Sequence, residues 1–230
     1  MPAPVLFELD GVLVDTRSAR AAALAAAFAA EGAHDAVGRE YDSSTPFENL
    51  VREIAQARAD ASGAPVLDDT AHTLIALRAE REYGTRLAAG VTLADGAVDL
   101  VQALGAECRV GVVTSGRRAD AERVLTLAGL ESSVRFVTAA DDGPAFASAA
   151  RRFAHAVARI RRGMTPPPTA VIAVVAGASG AGAARAAGAH PVLVDERLPL
   201  RTLTPGRLVA ALAGVPRSSV APSRPSSVQR

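Results

Sequence analysis

The stretch from Val5 to Thr16, VLFELDGVLVDT, constrains the fold more than any other part of this chain. Its first five residues are mostly apolar and predict a buried strand, and Gly11 predicts a tight turn directly after it. Glu8 and Asp10 are spaced by two, so both side chains leave the strand on the same side. Because ligands of open α/β sheets bind beyond the carboxyl ends of strands, the stretch predicts a functional site there.

The rest of the chain divides into a helix-only block and an alternating block. Residues 16–88 show helical patterns without a convincing strand, and Leu74, Leu77 and Tyr83 predict the apolar stripe of the third helix. Beyond Asp95, helices alternate with short strands, which predicts an α/β fold with a doubly wound parallel sheet. The further strands are predicted at Arg109–Thr114, Val134–Thr138, Val171–Val175 and Pro191–Asp195, and a helix that begins with proline at Pro144–Arg162.

These patterns predict the domain organisation. Residues 1–15 and 89–214 form the α/β core, and residues 16–88 form a helical cap above the strand ends. Residues 215–230 are rich in Pro, Ser and Arg and lack an apolar period, which predicts a disordered tail.

Composition excludes several classes of partner. The 230 residues carry a formal net charge of +1, which gives no drive towards nucleic acid or membrane, and no apolar run is long enough to span a bilayer. The first residues lack the basic region of a secretory leader, and Cys108 has no second cysteine to pair with. We therefore expect a cytoplasmic protein without disulfides, nucleic acid or membrane.

Lysine is absent from the chain: all 25 residues counted as Lys or Arg are arginine. Any step that uses a lysine ammonium in other proteins must therefore run differently here or be lost. Aromatic residues make up only 3% of the chain, so Ala, Val and Leu must build most of the core.

The sequence from Glu8 to Asp15 resembles the first motif of the haloacid dehalogenase superfamily, Asp-x-Asp-Gly-x-x-x-Asp. The resemblance to its capped phosphatases and β-phosphoglucomutase-like proteins covers roughly residues 5–195. It implies Mg²⁺-dependent phosphoryl transfer with an aspartyl-phosphate intermediate. It places Glu8 at the nucleophile position and Asp10 at the general acid/base position, with both as candidate Mg²⁺ ligands. The implied phosphate-binding residues follow the second strand: Thr114, Ser115, Gly116 and Arg117.

Three departures from the family pattern fall on the reacting groups. Glu8 is one methylene longer than the usual aspartate. After the third strand, the family has lysine, whereas this chain has Asp141 and Asp142. After the fourth strand, the family has metal-binding acids, whereas this chain has Val175 and Ala176.

We interpret the chain as a phosphatase-like protein that has lost most phosphoryl-transfer activity and that binds a phosphorylated small molecule or a protein partner, the latter through its tail. The alternative is an active Mg²⁺-dependent phosphatase for a small metabolite that uses Glu8 and Asp10, with Arg117 or Arg118 in place of lysine.

One competing pattern lies after the fourth predicted strand. Gly177, Gly180 and Gly182, with Asp195 further on, resemble a dinucleotide-binding fingerprint. Such a fingerprint normally lies at the start of its fold, whereas this one comes late in the chain. Dinucleotide binding is therefore the weaker hypothesis.

Overall fold

A five-stranded parallel sheet forms the centre of the molecule, in the order β3-β2-β1-β4-β5. The computed structural model describes residues 3–33, 45–63, 65–195 and 198–213. The strands are β1 (Val5–Glu8), β2 (Val110–Val113), β3 (Phe136–Thr138), β4 (Ile172–Val175) and β5 (His190–Leu193). The predicted parallel sheet is therefore confirmed.

Helices connect the strands and cover both faces of the sheet. They are α1 (Arg17–Ala29), α2 (Phe47–Ser62), α3 (Asp69–Ala89), α4 (Ala97–Glu107), α5 (Arg118–Leu127), α6 (Ala149–Arg162), α7 (Ala178–Ala186) and α8 (Pro205–Ala213). The prediction of one helix from Pro144 was wrong, because Pro144–Ala147 forms a separate 3₁₀ turn and α6 begins only at Ala149. None of the helices in the described ranges is long and apolar enough to cross a membrane.

Strand β1 is the central strand, and its position explains where a site can form. Val5 pairs with Val110 on one side and with Ile172 on the other. The chain runs outwards through β2 and β3, then crosses over to β4 and β5. The order therefore reverses between β1 and β4, and the carboxyl end of β1 lies at the switch point where doubly wound sheets bind ligands.

The core is divided between the two faces of the sheet. Val5 and Phe7 belong to the larger cluster, which includes α1, α4 and α5. Leu6 lies in the second cluster with Phe153 of α6 and Ala181 of α7. This alternation follows from the two-residue period of a strand, and because both faces are buried, the whole of β1 is apolar up to Glu8.

Helices α1, α2 and α3 form a helical block between β1 and α4, and the described part of residues 16–88 contains no strand. The predicted stripe of α3 was wrong in phase, because Leu74 is 55% exposed and Leu77 is also exposed. The buried stripe runs in steps of four through Ile75, Ala79, Tyr83 and Leu87. The predicted loop at residues 34–44 and the predicted tail at 215–230 lie outside the described residues, and the division into core and cap stays a prediction.

Candidate active site

The two predicted carboxylates lie together at the carboxyl end of β1, and both are buried. Glu8 is the last residue of β1 and is 5% exposed, and Asp10 in the following turn is 2% exposed. Gly11 has φ 78°, a left-handed conformation that glycine adopts without strain, and it turns the chain away from the sheet. Their hydrogen-bond partners show that the two carboxylates diverge, Glu8 towards β4 and Asp10 towards β2.

The Glu8 carboxylate is bonded to the start of α7. Its Oε2 accepts a hydrogen bond from the Ala176 backbone N–H at 3.0 Å. Gly180 provides the space: a Cβ at this position would lie 2.9 Å from both carboxylate oxygens of Glu8. The extra methylene of glutamate thus carries the carboxylate to the N-terminus of a helix, where backbone N–H groups and the helix dipole stabilise negative charge.

The Asp10 carboxylate accepts one hydroxyl on each oxygen. Tyr83 of the helical block donates to Oδ1 at 3.0 Å, and Thr114 donates to Oδ2 at 2.8 Å. Burial and the neighbouring Asp10 raise the pKa of the Tyr83 phenol, so it remains protonated and keeps donating. The Thr114 hydroxyl also accepts the Gly116 N–H at 3.0 Å. One donor and one acceptor position of Thr114 are therefore already used within the protein.

The basic residues at the start of α5 are paired with carboxylates. Arg117 forms an ion pair with Glu80 of α3. Arg118 contacts Asp142 at 2.7 Å, and its backbone N–H donates to Asp141 at 2.8 Å. Burial favours a higher pKa for Asp142, but the Ala139 N–H and Arg118 outweigh it and lower that pKa. Asp141 and Asp142, which stand where the family has lysine, are thus bound to Arg118, one of the two arginines predicted to replace that lysine.

A buried arginine that the sequence analysis missed approaches the acid pair from α6. Arg152 is 2% exposed, and its Nη1 donates to the Phe146 carbonyl at 2.7 Å. The pKa of its guanidinium is lowered, because burial outweighs the charges of Glu8 and then Asp10, which raise it. An arginine nevertheless remains charged. Its position was detectable, because Arg152 lies four residues before Ala156 and eight before Ile160 on the apolar face of α6.

A second missed arginine lies on α1. Arg20 is 0% exposed. Its guanidinium carbon lies 4.3 Å from the ring centre of Phe47 and 5.6 Å from that of Tyr83, and the two rings meet edge to face at 5.6 Å. Arg20 shares the apolar face of α1 with Leu24, which the spacing of four residues could have indicated.

A cavity of about 270 Å³ lies between the helical block and the start of α5. Tyr83, Ser115, Gly116 and Arg117 line it together with Phe47. Among the described residues that line it, the acidic side chains outnumber the basic ones; they are Glu48, Glu80, Asp120 and Asp141. Burial raises the pKa of Asp120, Arg117 opposes the rise, and Asp141 and Glu80 add to it. The lining is therefore unfavourable for a multiply charged anion.

The residues at the carboxyl ends of β1 and β4 do not fit Mg²⁺. This ion takes near-octahedral sets of oxygen ligands, whereas Val175 is buried and apolar and Ala176 carries only a methyl group. Within the described residues, no group of three or more His, Cys, Asp or Glu side chains is arranged to hold a metal ion. The candidate ligands at these strand ends are the side chains of Glu8 and Asp10, and the donors described for them are groups of the protein itself.

The dinucleotide hypothesis fails on the same geometry. In that motif, a glycine allows a pyrophosphate to approach the helix N-terminus. Here the space at Gly180 contains the Glu8 carboxylate, which excludes a second anion.

The fold is a parallel α/β sheet with an acid pair after the first strand and a Thr-Ser-Gly turn after the second. Comparison with family models matches residues 5–188 to haloacid dehalogenase-like hydrolases. The chain belongs to this family, as the sequence resemblance predicted. No curated protein sequence matches it.

Solved structures share the fold. β-Phosphoglucomutase from Clostridium difficile superposes with a TM-score of 0.71 at 14% identity, over 93% of this chain and 98% of that chain. Protein Tyrosine Kinase A from Mycobacterium tuberculosis gives 0.63 at 24% identity, over 84% and 83%. The HAD-hydrolase YfnB from Bacillus subtilis, described as bound to magnesium, gives 0.57 at 15% identity, over 86% and 91%.

Proposed function

We propose that this chain is a haloacid dehalogenase-like protein that does not carry out Mg²⁺-dependent phosphoryl transfer and that acts by binding. The observation that carries the proposal is the hydrogen bond of 3.0 Å between the Ala176 N–H and the Glu8 carboxylate. This bond engages the carboxylate at the nucleophile position. Its donor, Ala176, stands where the family has a metal-binding acid.

The geometry of Glu8 supports loss of the covalent step. To attack phosphorus, an oxygen of the Glu8 carboxylate must align with the leaving oxygen, whereas the bond from the Ala176 N–H holds the carboxylate towards the start of α7. The longer side chain moves the attacking oxygen by about 1 Å, and a misplacement of that size lowers a rate by about 10²-fold. A separate loss follows from Val175 and Ala176, which supply no side-chain oxygen to a metal that would bridge the reacting groups.

The surroundings of the predicted phosphate site support the same conclusion. Phosphate binding needs free hydroxyl and N–H donors at the start of α5. The Thr114 hydroxyl donates to Asp10, the Gly116 N–H donates to Thr114, and the Arg118 N–H donates to Asp141. These contacts favour a small ligand without a phosphate group in the neighbouring cavity. In titrations followed by thermal unfolding, we expect inorganic phosphate to leave the melting temperature unchanged; a rise of several degrees would contradict this part of the proposal.

One observation favours the alternative of an active phosphatase that uses Glu8 and Asp10. Arg152 places a positive charge towards both carboxylates, which supplies the charge that lysine supplies in the family and makes Arg117 and Arg118 unnecessary for that role. If this alternative holds, turnover should be abolished in Glu8→Gln and in Asp10→Asn.

A phosphatase assay on generic phosphomonoesters, with and without Mg²⁺, separates the two hypotheses. We expect native protein to match the Glu8→Gln control, and Glu8→Asp alone to remain inactive, since groups that act together are not repaired one at a time. The triple variant Glu8→Asp, Val175→Glu, Ala176→Asp restores the carboxylates of the family pattern and adds two negative charges to the site, so we expect Mg²⁺-dependent turnover to appear there. Robust turnover of the native protein that is lost in Glu8→Gln would refute the proposal.

A further inference from the structure

Four buried charged residues lie near the carboxyl end of β1, two acidic and two basic. Glu8 and Asp10 are the acids, and both are at least 95% buried, at 5% and 2% exposure. Arg152 and Arg20 are the bases, at 2% and 0% exposure. The formal charges of this group, which we call the buried quartet, sum to zero.

Two carboxylates so far from solvent require positive charge nearby. An ionised carboxylate in a low-dielectric interior is strongly destabilised unless it is paired and hydrogen-bonded. Neutral donors, such as the Ala176 N–H on Glu8 and the two hydroxyls on Asp10, contribute hydrogen bonds but no net charge. In carboxylate sites that bind metals, the cation supplies this charge.

Arg152 and Arg20 come from helices in opposite parts of the fold, and each is held by other contacts. Arg152 comes from α6, and the Phe146 carbonyl accepts its Nη1. Both acids raise the pKa of its guanidinium, Glu8 more than Asp10, which agrees with a position of Arg152 near the carboxyl end of β1. Arg20 comes from α1 and packs against the ring of Tyr83, whose hydroxyl donates to Asp10.

We propose that Arg152, assisted by Arg20, is a built-in counter-ion that takes the electrostatic role of a divalent cation at Glu8 and Asp10, so that the folded site excludes Mg²⁺. The side chains of Val175 and Ala176 then need no metal-binding function, since the positive charge comes from α6 and α1. This inference goes beyond the proposed function, because a site without metal is compatible both with no turnover and with turnover that does not depend on Mg²⁺.

The first test is Mg²⁺ binding by the EDTA-treated full chain, measured by calorimetry and thermal unfolding. We expect no calorimetric signal at micromolar Mg²⁺ and no change in melting temperature in millimolar MgCl₂. Micromolar affinity would overturn the inference. Micromolar Mg²⁺ binding without turnover would overturn this inference and leave the proposed function standing. Turnover that does not depend on Mg²⁺ and is abolished in Glu8→Gln would overturn the proposed function and leave this inference standing.

The second test removes the counter-ion, with a neighbouring arginine as control. Arg151 is exposed on the same helix, so Arg151→Met should leave the melting temperature nearly unchanged. Arg152→Met should lower it by about 10 °C, because it leaves buried carboxylates uncompensated, and millimolar Mg²⁺ should restore part of the loss. The double variant Glu8→Gln, Arg152→Met should melt above Arg152→Met.

Two results of the second test would contradict the inference. One is a loss in Arg152→Met no larger than that in Arg151→Met. The other is additive destabilisation in the double variant, which would mean that Arg152 and Glu8 do not interact. If Arg152→Met does not fold, Arg152→Lys keeps the charge, and we expect it to fold and to remain insensitive to Mg²⁺; micromolar Mg²⁺ affinity in that variant would also count against the inference.

Discussion

A methyl group added at Gly180 tests whether the Glu8 carboxylate occupies the start of α7. In Gly180→Ala, the new Cβ would lie 2.9 Å from Oε1 and from Oε2 of Glu8. This is too close for the carboxylate to stay, and we expect it to move off the Ala176 N–H, to which it is bonded at 3.0 Å.

Two opposing terms set the size of the effect. Replacing a helical glycine by alanine stabilises by about 0.5–1 kcal/mol. Losing a hydrogen bond to a charged group destabilises by about 1.5–3 kcal/mol. The second term is larger, so Gly180→Ala should be destabilised by about 1.5 kcal/mol, which lowers the melting temperature of a chain of this size by about 4 °C.

Gly182 provides a matched control on the same helix. Nothing lies within 4 Å of a Cβ at Gly182, so Gly182→Ala should show only the helical gain and melt about 2 °C higher than the native protein. The assay is thermal unfolding followed by circular dichroism at 222 nm, a wavelength at which helix signal dominates, with urea unfolding as a second measure of the free energy.

Shortening the side chain at position 8 should reverse the sign of the effect of Gly180→Ala on stability. Glu8→Asp alone should be destabilised, because the shorter side chain no longer reaches the Ala176 N–H. In that background, Gly180→Ala should be stabilising, since the clash is gone and the helical gain remains. The reasoning is refuted if Gly180→Ala is as stabilising as Gly182→Ala in the native background, or if its effect is the same with Glu8 and with aspartate.

Three further predictions concern other residues. Tyr83→Phe should lower the melting temperature by about 5 °C in thermal unfolding, because the buried Asp10 loses a hydroxyl donor at 3.0 Å; an unchanged value would be inconsistent with that bond. Burial, followed by the charge of Glu107, raises the pKa of Cys108 to about 11 from 9.0, so iodoacetamide should modify the folded protein at pH 8 roughly 100-fold more slowly than the urea-unfolded chain, and equal rates would contradict it. The pKa of Asp142 is lowered in the fold, so its stabilising effect is present above the unfolded pKa and is lost as pH falls through the folded pKa; Asp142→Asn should therefore be less stable than native protein at pH 7, with a difference that shrinks below about pH 4, and a difference independent of pH would be evidence against that lowering.

The sequence contained enough local information for the sheet and for the position of the acid pair. A buried apolar strand that ends in an acid, an acid two residues on and a glycine turn is a local pattern, and the structure places Glu8 and Asp10 at that strand end. Thr114 was predicted from its position after β2, and it bonds Asp10 at 2.8 Å. Each of these features depends on a few consecutive residues and on the parallel order of strands.

The counter-charges were missed because they come from distant helices. Arg152 is 144 positions from Glu8 by the numbering, and its role depends on how α6 packs against the sheet. Arg117 and Arg118, which follow β2, were predicted as replacements for lysine, whereas Arg152 is a charged residue on the apolar face of a helix.

The phase of α3 was missed for a different reason. The positions of Leu74 and Leu77 do not indicate the buried face, because in this alanine-rich chain Ile75 and Ala79 lie on it. Tyr83 was correctly assigned to the buried face, but its hydrogen bond to Asp10 depends on the closure of the helical block over β1. Such long-range contacts have no local sequence signal.

Covalent phosphorylation of Glu8 is the most direct test of the central claim that this site does not transfer phosphoryl groups. Native protein is incubated with acetyl phosphate and MgCl₂, quenched in acid, and analysed by intact-protein and peptide mass spectrometry, with Glu8→Gln as the control. We predict no phosphoryl adduct on the peptide that contains Glu8 and the same spectrum for both proteins, because the carboxylate is bonded to the Ala176 N–H. A hydroxylamine-sensitive adduct on Glu8 that is absent from Glu8→Gln would contradict the account.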